Sequence, residues 1–410
     1  MATVARKKTN RKSAKNPLLT GKKFDLRVIA VLGVSLIALV GFLLLRLSLA
    51  GSALVIPGNY DPPLNAIYVS SDTTAKDTNA GTITAPYATL AKAISVTPAG
   101  GTIVLRGGTY REGNLSIAKA LTLQSYKGEQ VWLDGAITQS TGWVADGPAW
   151  RLDNSPSSGL CKPSAQACVE NAAQVDAAYP MSSSPQMVYR NSTNLKEVPF
   201  GTTLTTGTFS YNQASNQLYV ADNPSGQTME ITTKRKALNI SASGVNLKGI
   251  GFRHFGSIES PQKVDDYSFA MVQISGVTSS LIENCVFYQS ASRGLFVGSS
   301  SNVVIRGNTF QENGMNGVDI NKTSGITFEQ NKVLQNNAEN FSTAAGTYAV
   351  IAGSKITGGS GVVRDNIFDA NKGTGWWCDL QCDSITVVRN IMSRNAGHGL
   401  YYEVSSNAIL

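Results

Sequence analysis

Residues 281–287, LIENCVF, return in altered form as VIRGNTF (304–310), TFEQNKV (327–333), VVRDNIF (362–368) and VVRNIM (387–392). Each copy sets an apolar residue three before, and another two after, one shared position, held in turn by Cys285, Asn308, Asn331, Asn366 and Asn390. The steps between these positions are 23, 23, 35 and 24, a single period with one insertion of about a dozen residues. LKGIGF (247–252) extends the series, with Ile250 a further 35 residues back. Short alternating apolar runs, frequent Gly and Asn and no helical pattern predict a coil of short strands stacked as an all-β parallel solenoid, 23–24 residues per coil. An antiparallel sandwich also turns every 8 to 12 residues or roughly so, but does not require one Asn at near-constant spacing. Asn suits the bend because it tolerates left-handed backbone angles, and stacked amides can hydrogen-bond up the column.

Upstream, YVSSDTTAKDTNAGTITAPYATLAKAISVTPAGGTIVLRGGTY (68–110) reads as a loop, a short amphipathic helix around residues 86–96, and a strand. This stretch resembles the opening of right-handed parallel β-helix proteins of the pectate-lyase-like superfamily, in which such a helix caps the first coil. GTFSYNQASNQLYVADNPSGQTMEI (207–231), and GWWCDLQC (375–382) followed by HGLYYEVS (398–405), resemble segments of secreted bacterial β-helix proteins. The resemblance covers most of residues 66–410 and implies a right-handed parallel β-helix. It says less about chemistry, because the scaffold hosts lyases, hydrolases, epimerases and binding proteins. Residues 142–232 break the repeat and are expected to leave the solenoid and return, with QLYVADNP as a strand and turn. The next ladder position would fall beyond Leu410, so the sequence is expected to be a truncated version of a longer protein.

The formal net charge is +8, from 35 basic and 27 acidic side chains. Nine of the basic residues and one acid lie in the first 27, so the body is balanced and no nucleic-acid-binding surface is expected. Residues 28–45 form an uncharged apolar run of 18, which spans about 27 Å as a helix and can just cross a bilayer. Basic residues crowd its N-terminal side, which predicts a cytoplasmic tail (1–27), a transmembrane signal anchor, a linker (46–65) and an extracytoplasmic β-helix domain (66–410). The alternative is a cleaved signal peptide processed near Ala53, with the body secreted. Five cysteines in an exported chain permit disulfides, and the pairs Cys161 with Cys168 and Cys378 with Cys382 can each close a small loop. Their spacing does not match a zinc site.

Alternation then assigns faces. Val318 and Ile320 belong to the core, so Asp319 and Asn321 point out; by the same parity Trp376, Cys378 and Leu380 separate from Trp377 and Asp379, and Leu400, Tyr402 and Val404 from Tyr401 and Glu403. Aligned coils give one outward column of Met271, Phe296, Asp319, Gly353, Trp377 and Tyr401. The other holds Gln273, Gly298, Asn321, Lys355, Asp379 and Glu403, with Lys355, Asp379 and Glu403 at steps of 24. Rungs about 4.8 Å apart bring that ammonium and two carboxylates into reach of each other. Insertions at 257–267 and 339–347 leave the solenoid just before this strand and are placed to wall a cleft.

Exposed aromatic faces beside an ammonium and carboxylates suit a polysaccharide or cell-surface glycan, whose C–H faces stack on rings while hydroxyls or uronate groups meet the charges. Phe296, Trp377, Tyr401 and Asn321 are the candidate substrate-binding residues. A polysaccharide lyase or related uronate enzyme is the activity that the resemblance makes most familiar. It needs a base, here Lys355 or His398, and a means of neutralising an enolate, for which Ca²⁺ on Asp319, Asp379 and Glu403 is the expected cofactor. Two carboxylates beside Lys355 favour its charged form, which counts against it as the base. The alternatives are a glycoside hydrolase using Asp379 and Glu403 as a retaining pair, and a membrane-tethered glycan-binding rod with no catalysis. Arg253 and His254 read as turn residues, and Lys234, Arg235 and Lys236 as a solvated bend. Nothing in the sequence indicates a nucleotide or redox cofactor.

Overall fold

A computed structural model describes residues 54–160, 175–258, 269–343 and 350–410. The apolar run 28–45 and the Cys161–Cys168 pair lie outside the described residues; among those described, no helix is long and apolar enough to cross a membrane. From Ile56 the chain forms one compact unit to Leu410. The expected linker is accordingly shorter than drawn: Ile56 is buried and exchanges two hydrogen bonds with the Gln130 side chain, at 2.8 and 3.0 Å.

The solenoid is a parallel β-helix. One sheet of eight short strands stacks in register from Gly108–Tyr110 to Ile391–Ser393. The other faces belong to a fifteen-stranded sheet that bends around the coil. Inside, Phe252, Phe287, Phe310, Phe328 and Phe368 form a continuous stack with centroid separations of 5.2, 4.7, 6.3 and 6.1 Å. The helix α1, Leu90–Val96, buries Leu90 and Ala93 against the first coil and is shorter than the sequence suggested, because Thr89 caps it and accepts from Lys92 N at 3.1 Å.

The repeated asparagines form a buried ladder. Asn308 Nδ2 donates to Asn331 Oδ1 at 3.0 Å, Asn331 to Asn366 at 3.1 Å and Asn366 to Asn390 at 2.9 Å, while each Oδ1 also accepts the backbone N–H one coil below. Cys285 starts the column by donating its N–H to Asn308 Oδ1. The left-handed angle falls on the residue before each ladder position: Asn284, Gly307, Gln330, Asp365 and Arg389 all have φ between 53° and 67°. Asparagine is therefore needed for its amide, not for backbone tolerance. A second ladder, Asn313, Asn336, Asn371 and Asn395, repeats the arrangement with bonds of 2.9, 3.0 and 2.9 Å at the next corner.

The excursion is a largely antiparallel body with its own core of Leu152, Val188, Leu195, Phe209, Leu218, Val220, Met229 and Ile231. Gln217–Val220 is a strand in it, as expected of QLYV. Where the excursion leaves the solenoid, Asp134 accepts from Arg253 Nε at 2.7 Å, lies 3.2 Å from His254 Nδ1, and accepts from Ala136 N at 2.9 Å. His254 does sit at a turn, with φ 61°, but it is buried, its ring packed at a tilt 3.9 Å from that of Tyr189. The basic triplet is not a solvated bend: Arg235 donates to the carbonyls of Gly159 and Leu160, and Lys236 is buried.

Two stability tests follow from these contacts. Asn331→Ala strips both neighbours in the ladder of their partner and should cost about 3 kcal/mol in urea unfolding. Gln330→Gly, at the left-handed position beside it, should stay within about 1 kcal/mol of wild type. Burial alone would raise the Asp134 carboxyl; His254, then Arg253 and the Ala136 N–H, outweigh burial and hold it at about 2, below the ordinary 3.8. The stability that this depression confers is present above about pH 4 and is lost as pH falls through about 2. Acid unfolding of Asp134→Asn should show a flatter pH dependence across that window, from a lower starting stability.

Candidate functional site

Six strands build the face in question: β1 (Ala270–Ser275), β2 (Arg293–Gly298), β3 (Val318–Glu329), β4 (Ala352–Arg364), β5 (Thr374–Asp379) and β6 (Leu400–Tyr402). Their register gives one column of Gln273, Phe296, Asp319, Lys355, Trp377 and Tyr401. The next is Ser275, Gly298, Asn321, Thr357 and Asp379. Glu403 continues it one rung on, its N–H bonded to Cys378 O at 3.0 Å.

The inward and outward parity expected from the sequence holds along β3 and β5, but two assignments slip by two residues. Lys355 and Gln273 belong to the first column, not the second, while Met271 is buried in the core and Gly353 has no place beside Asp319. The step from Asp319 to Lys355 is 36 residues and the next, to Trp377, is 22. A register shift between Thr323 and Ile326 reconciles this with the 35-residue step of the asparagine ladder. Even so, Lys355 reaches diagonally to Asp379, Nζ to Oδ2 at 2.9 Å, a span that a long side chain covers easily.

Lys355 is the centre of the arrangement. It is only 6% exposed, with Nζ 3.3 Å from the centre of the Trp377 ring. Trp377 donates Nε1 to Glu403 Oε1 at 3.0 Å, and Tyr401 donates its hydroxyl to Glu403 Oε2 at 2.6 Å. The Trp377 and Tyr401 rings lie 5.3 Å apart, and His398 lies 5.0 Å from Tyr401 on the exposed side. Trp377 faces outward as expected, yet at 8% exposure it is the floor of a cleft, not a surface ring; Trp376, at 0%, fills the core. The hydrogen bond to Glu403, then its charge, hold the Tyr401 hydroxyl above its ordinary pKa.

The cleft has a volume of about 840 Å³. It brings together seven of the nine expected residues: Lys355, Asp379, Glu403, His398, Trp377, Tyr401 and Asn321. Phe296 stands apart, packed on Phe269 at 5.7 Å, and the Asp319 carboxylate is taken by Arg293 Nε and by Asn316 Nδ2. Thr343, Val350 and Ile351, flanking the second insertion, contribute to the wall, as do Gly373–Thr374 and Ala396–Gly397. Residues 259–268 and 344–349, which hold most of the first insertion and part of the second, lie outside the described residues. Thr357 was missed; only the true register identifies it as Asp379's neighbour.

Leu380 was expected inside, but β5 stops at Asp379: Leu380 and Gln381 take left-handed angles and Leu380 is 52% exposed. The disulfide Cys378–Cys382, with Cα atoms 5.8 Å apart, closes that turn. Val404 turns outward in the same way, with φ 45°. Three carboxylates were expected to hold Ca²⁺. Each instead has its own donors, and among the described residues no three His, Cys, Asp or Glu side chains converge as a metal site. The donor set does not fit a calcium ion.

A family model described as right handed beta helix region matches residues 270–410. The chain's solenoid is a right-handed parallel β-helix. A solved structure of XylC with xylose superposes with a TM-score of 0.63 at 17% identity, covering 83% of this β-helix chain and 64% of that one. Pectate lyase PEL9 of Emericella nidulans is 45% identical over 76 residues, 17% of this chain. The match spans 18% of the lyase's length.

Lys355→Met would leave the Asp379 carboxylate facing an apolar chain in a nearly closed environment. It should lower the unfolding free energy by about 2 kcal/mol, measured by denaturant titration; wild-type stability would contradict the pair.

Proposed function

We propose that the cleft binds an acidic polysaccharide and cleaves it by β-elimination, as a lyase-like uronate enzyme. The observation that carries this reading is the Lys355 ammonium, set between the Trp377 ring and Asp379 on the cleft floor. A uronate carboxylate placed there meets a cation in surroundings where such a contact is strong. The sugar's C–H face lies on the Trp377 and Tyr401 rings. The identity to a pectate lyase, over its short stretch, supports the same substrate class.

The roles divide by geometry. Lys355 is held by its partners and is not the base; it neutralises the carboxylate as charge moves onto it. His398, exposed at the cleft mouth beside Tyr401, takes the proton from the carbon next to that carboxylate. The electron pair forms the new carbon–carbon double bond as the glycosidic carbon–oxygen bond breaks. The departing oxygen takes its proton from water, because the single Tyr401 hydroxyl proton is already given to Glu403 Oε2. For the hydrolase reading, both Glu403 oxygens already accept from rings, so neither is aimed as an acid at a glycosidic oxygen.

The apolar run at 28–45, preceded by its basic tail, supports a membrane-tethered protein with the β-helix outside the cytoplasm; secretion after cleavage near Ala53 is the alternative. Extracts separated into membrane and soluble fractions distinguish the two.

Incubation with a panel of uronate polymers should give an unsaturated product that absorbs in the ultraviolet. His398→Ala and Lys355→Met should each lower kcat by about 10² or more, with Trp377→Phe acting mainly on KM. Retention of the polymers without any product would leave a binding rod, and reducing ends without ultraviolet absorbance would point to hydrolysis.

A further inference from the structure

The corner that follows the second column of the site face is left-handed in six successive coils. Gly276, Ser299, Lys322, Gly358, Leu380 and Val404 hold it in turn, with φ between 45° and 68°. Glycine enters this region freely, whereas a Cβ makes it costly and a bulky or branched side chain costs most. Four coils meet the demand with glycine, serine or lysine. The coil that carries Asp379 meets it with Leu380, which is 52% exposed and lines the cleft, and the next coil repeats the apolar choice with Val404.

Nothing in the fold asks for leucine at this corner. An exposed leucine gains little from burial, and its backbone angle adds strain, so its presence points to a contact made only with a ligand. The turn is nevertheless firmly fixed. The disulfide Cys378–Cys382 closes it, and neighbouring coils hold Gln381 from both sides: Gly359 N donates to its carbonyl at 3.2 Å, and its own N–H reaches Val404 O at 2.9 Å. Leu380 is thereby presented beside Asp379 at a set position, more exposed than the Trp377 ring on the floor. Flat rings suit the broad C–H face of a sugar. A branched aliphatic chain at the rim suits a methyl group that projects from one.

We propose that Leu380 selects a substrate carrying a methyl-bearing substituent, an O-acetyl or O-methyl group, on a sugar bound in the cleft. This rests on the cleft binding a uronate polymer and narrows which one: Lys355 meets the carboxylate and Leu380 meets the substituent. Covering one methyl group against an aliphatic side chain strengthens binding about four-fold.

The test is calorimetric titration of the full-length protein with uronate oligosaccharides in three forms: unsubstituted, O-acetylated and O-methylated. Titrations use a His398→Ala background to suppress turnover, so the result reads binding and not the elimination step. This parent should bind at least one substituted form about four-fold more tightly than the unsubstituted one, and the comparison of the two identifies the substituent. Adding Leu380→Gly should abolish the preference while leaving affinity for the unsubstituted form within about two-fold. The same change should leave the urea midpoint equal to the parent's or raise it, because glycine relieves the left-handed angle. Leu380→Met, still apolar, should keep the preference. Equal binding of all three forms by the parent overturns the proposal, as does a preference that survives Leu380→Gly. Loss of the preference together with a lower urea midpoint also overturns it, by making Leu380 a packing residue. Failure of the parent to bind any form would remove the uronate reading of the cleft, and this proposal with it.

Discussion

A buried amide side chain carries two donors and an acceptor with two lone pairs, and in this molecule nearly all are met by the coil above or below. Each asparagine inside a ladder accepts from the backbone and side chain of one neighbour and donates to a main-chain carbonyl and the next amide. That arrangement works only when coils are one β-rung apart and in register. The spacing of everything else, from the phenylalanine stack inside to the charges outside, follows from it.

The cleft is a product of this register. Lys355, Trp377 and Tyr401 are far apart in sequence, yet they occupy successive rungs of a single column. The ammonium is satisfied twice, by a ring and by a carboxylate, and the second carboxylate by two ring donors. Such interlocked polar groups keep their positions without a ligand, so binding need not order them first.

The fold was legible because a strict period in apolar residues and Asn leaves few alternatives. Seven of the nine expected site residues lie in the cleft for the same reason. What failed was counting across insertions: parity survives an error of two residues, so Lys355 kept its outward face while losing its column. Asp319 was misread because nothing local announces that Arg293, a full coil away, claims it. Leu380 and Val404 were misread because strand ends are set by left-handed turns that any residue type enters here, Leu and Val included. The second ladder was within reach, since Asn313, Asn336, Asn371 and Asn395 repeat the intervals of the first.

Both ladders cross the coil that carries the second insertion without loss: the bonds from Asn331 to Asn366 and from Asn336 to Asn371 match those elsewhere, though the step is 35 residues instead of 23 or 24. An insertion at the corner between Asn337 and Ile351 thus leaves both ladders intact. Doubling a loop's length there adds only about 0.6 kcal/mol of closure entropy. The wall of the cleft can therefore change by swapping segments at that corner, while Lys355 on the floor keeps its place.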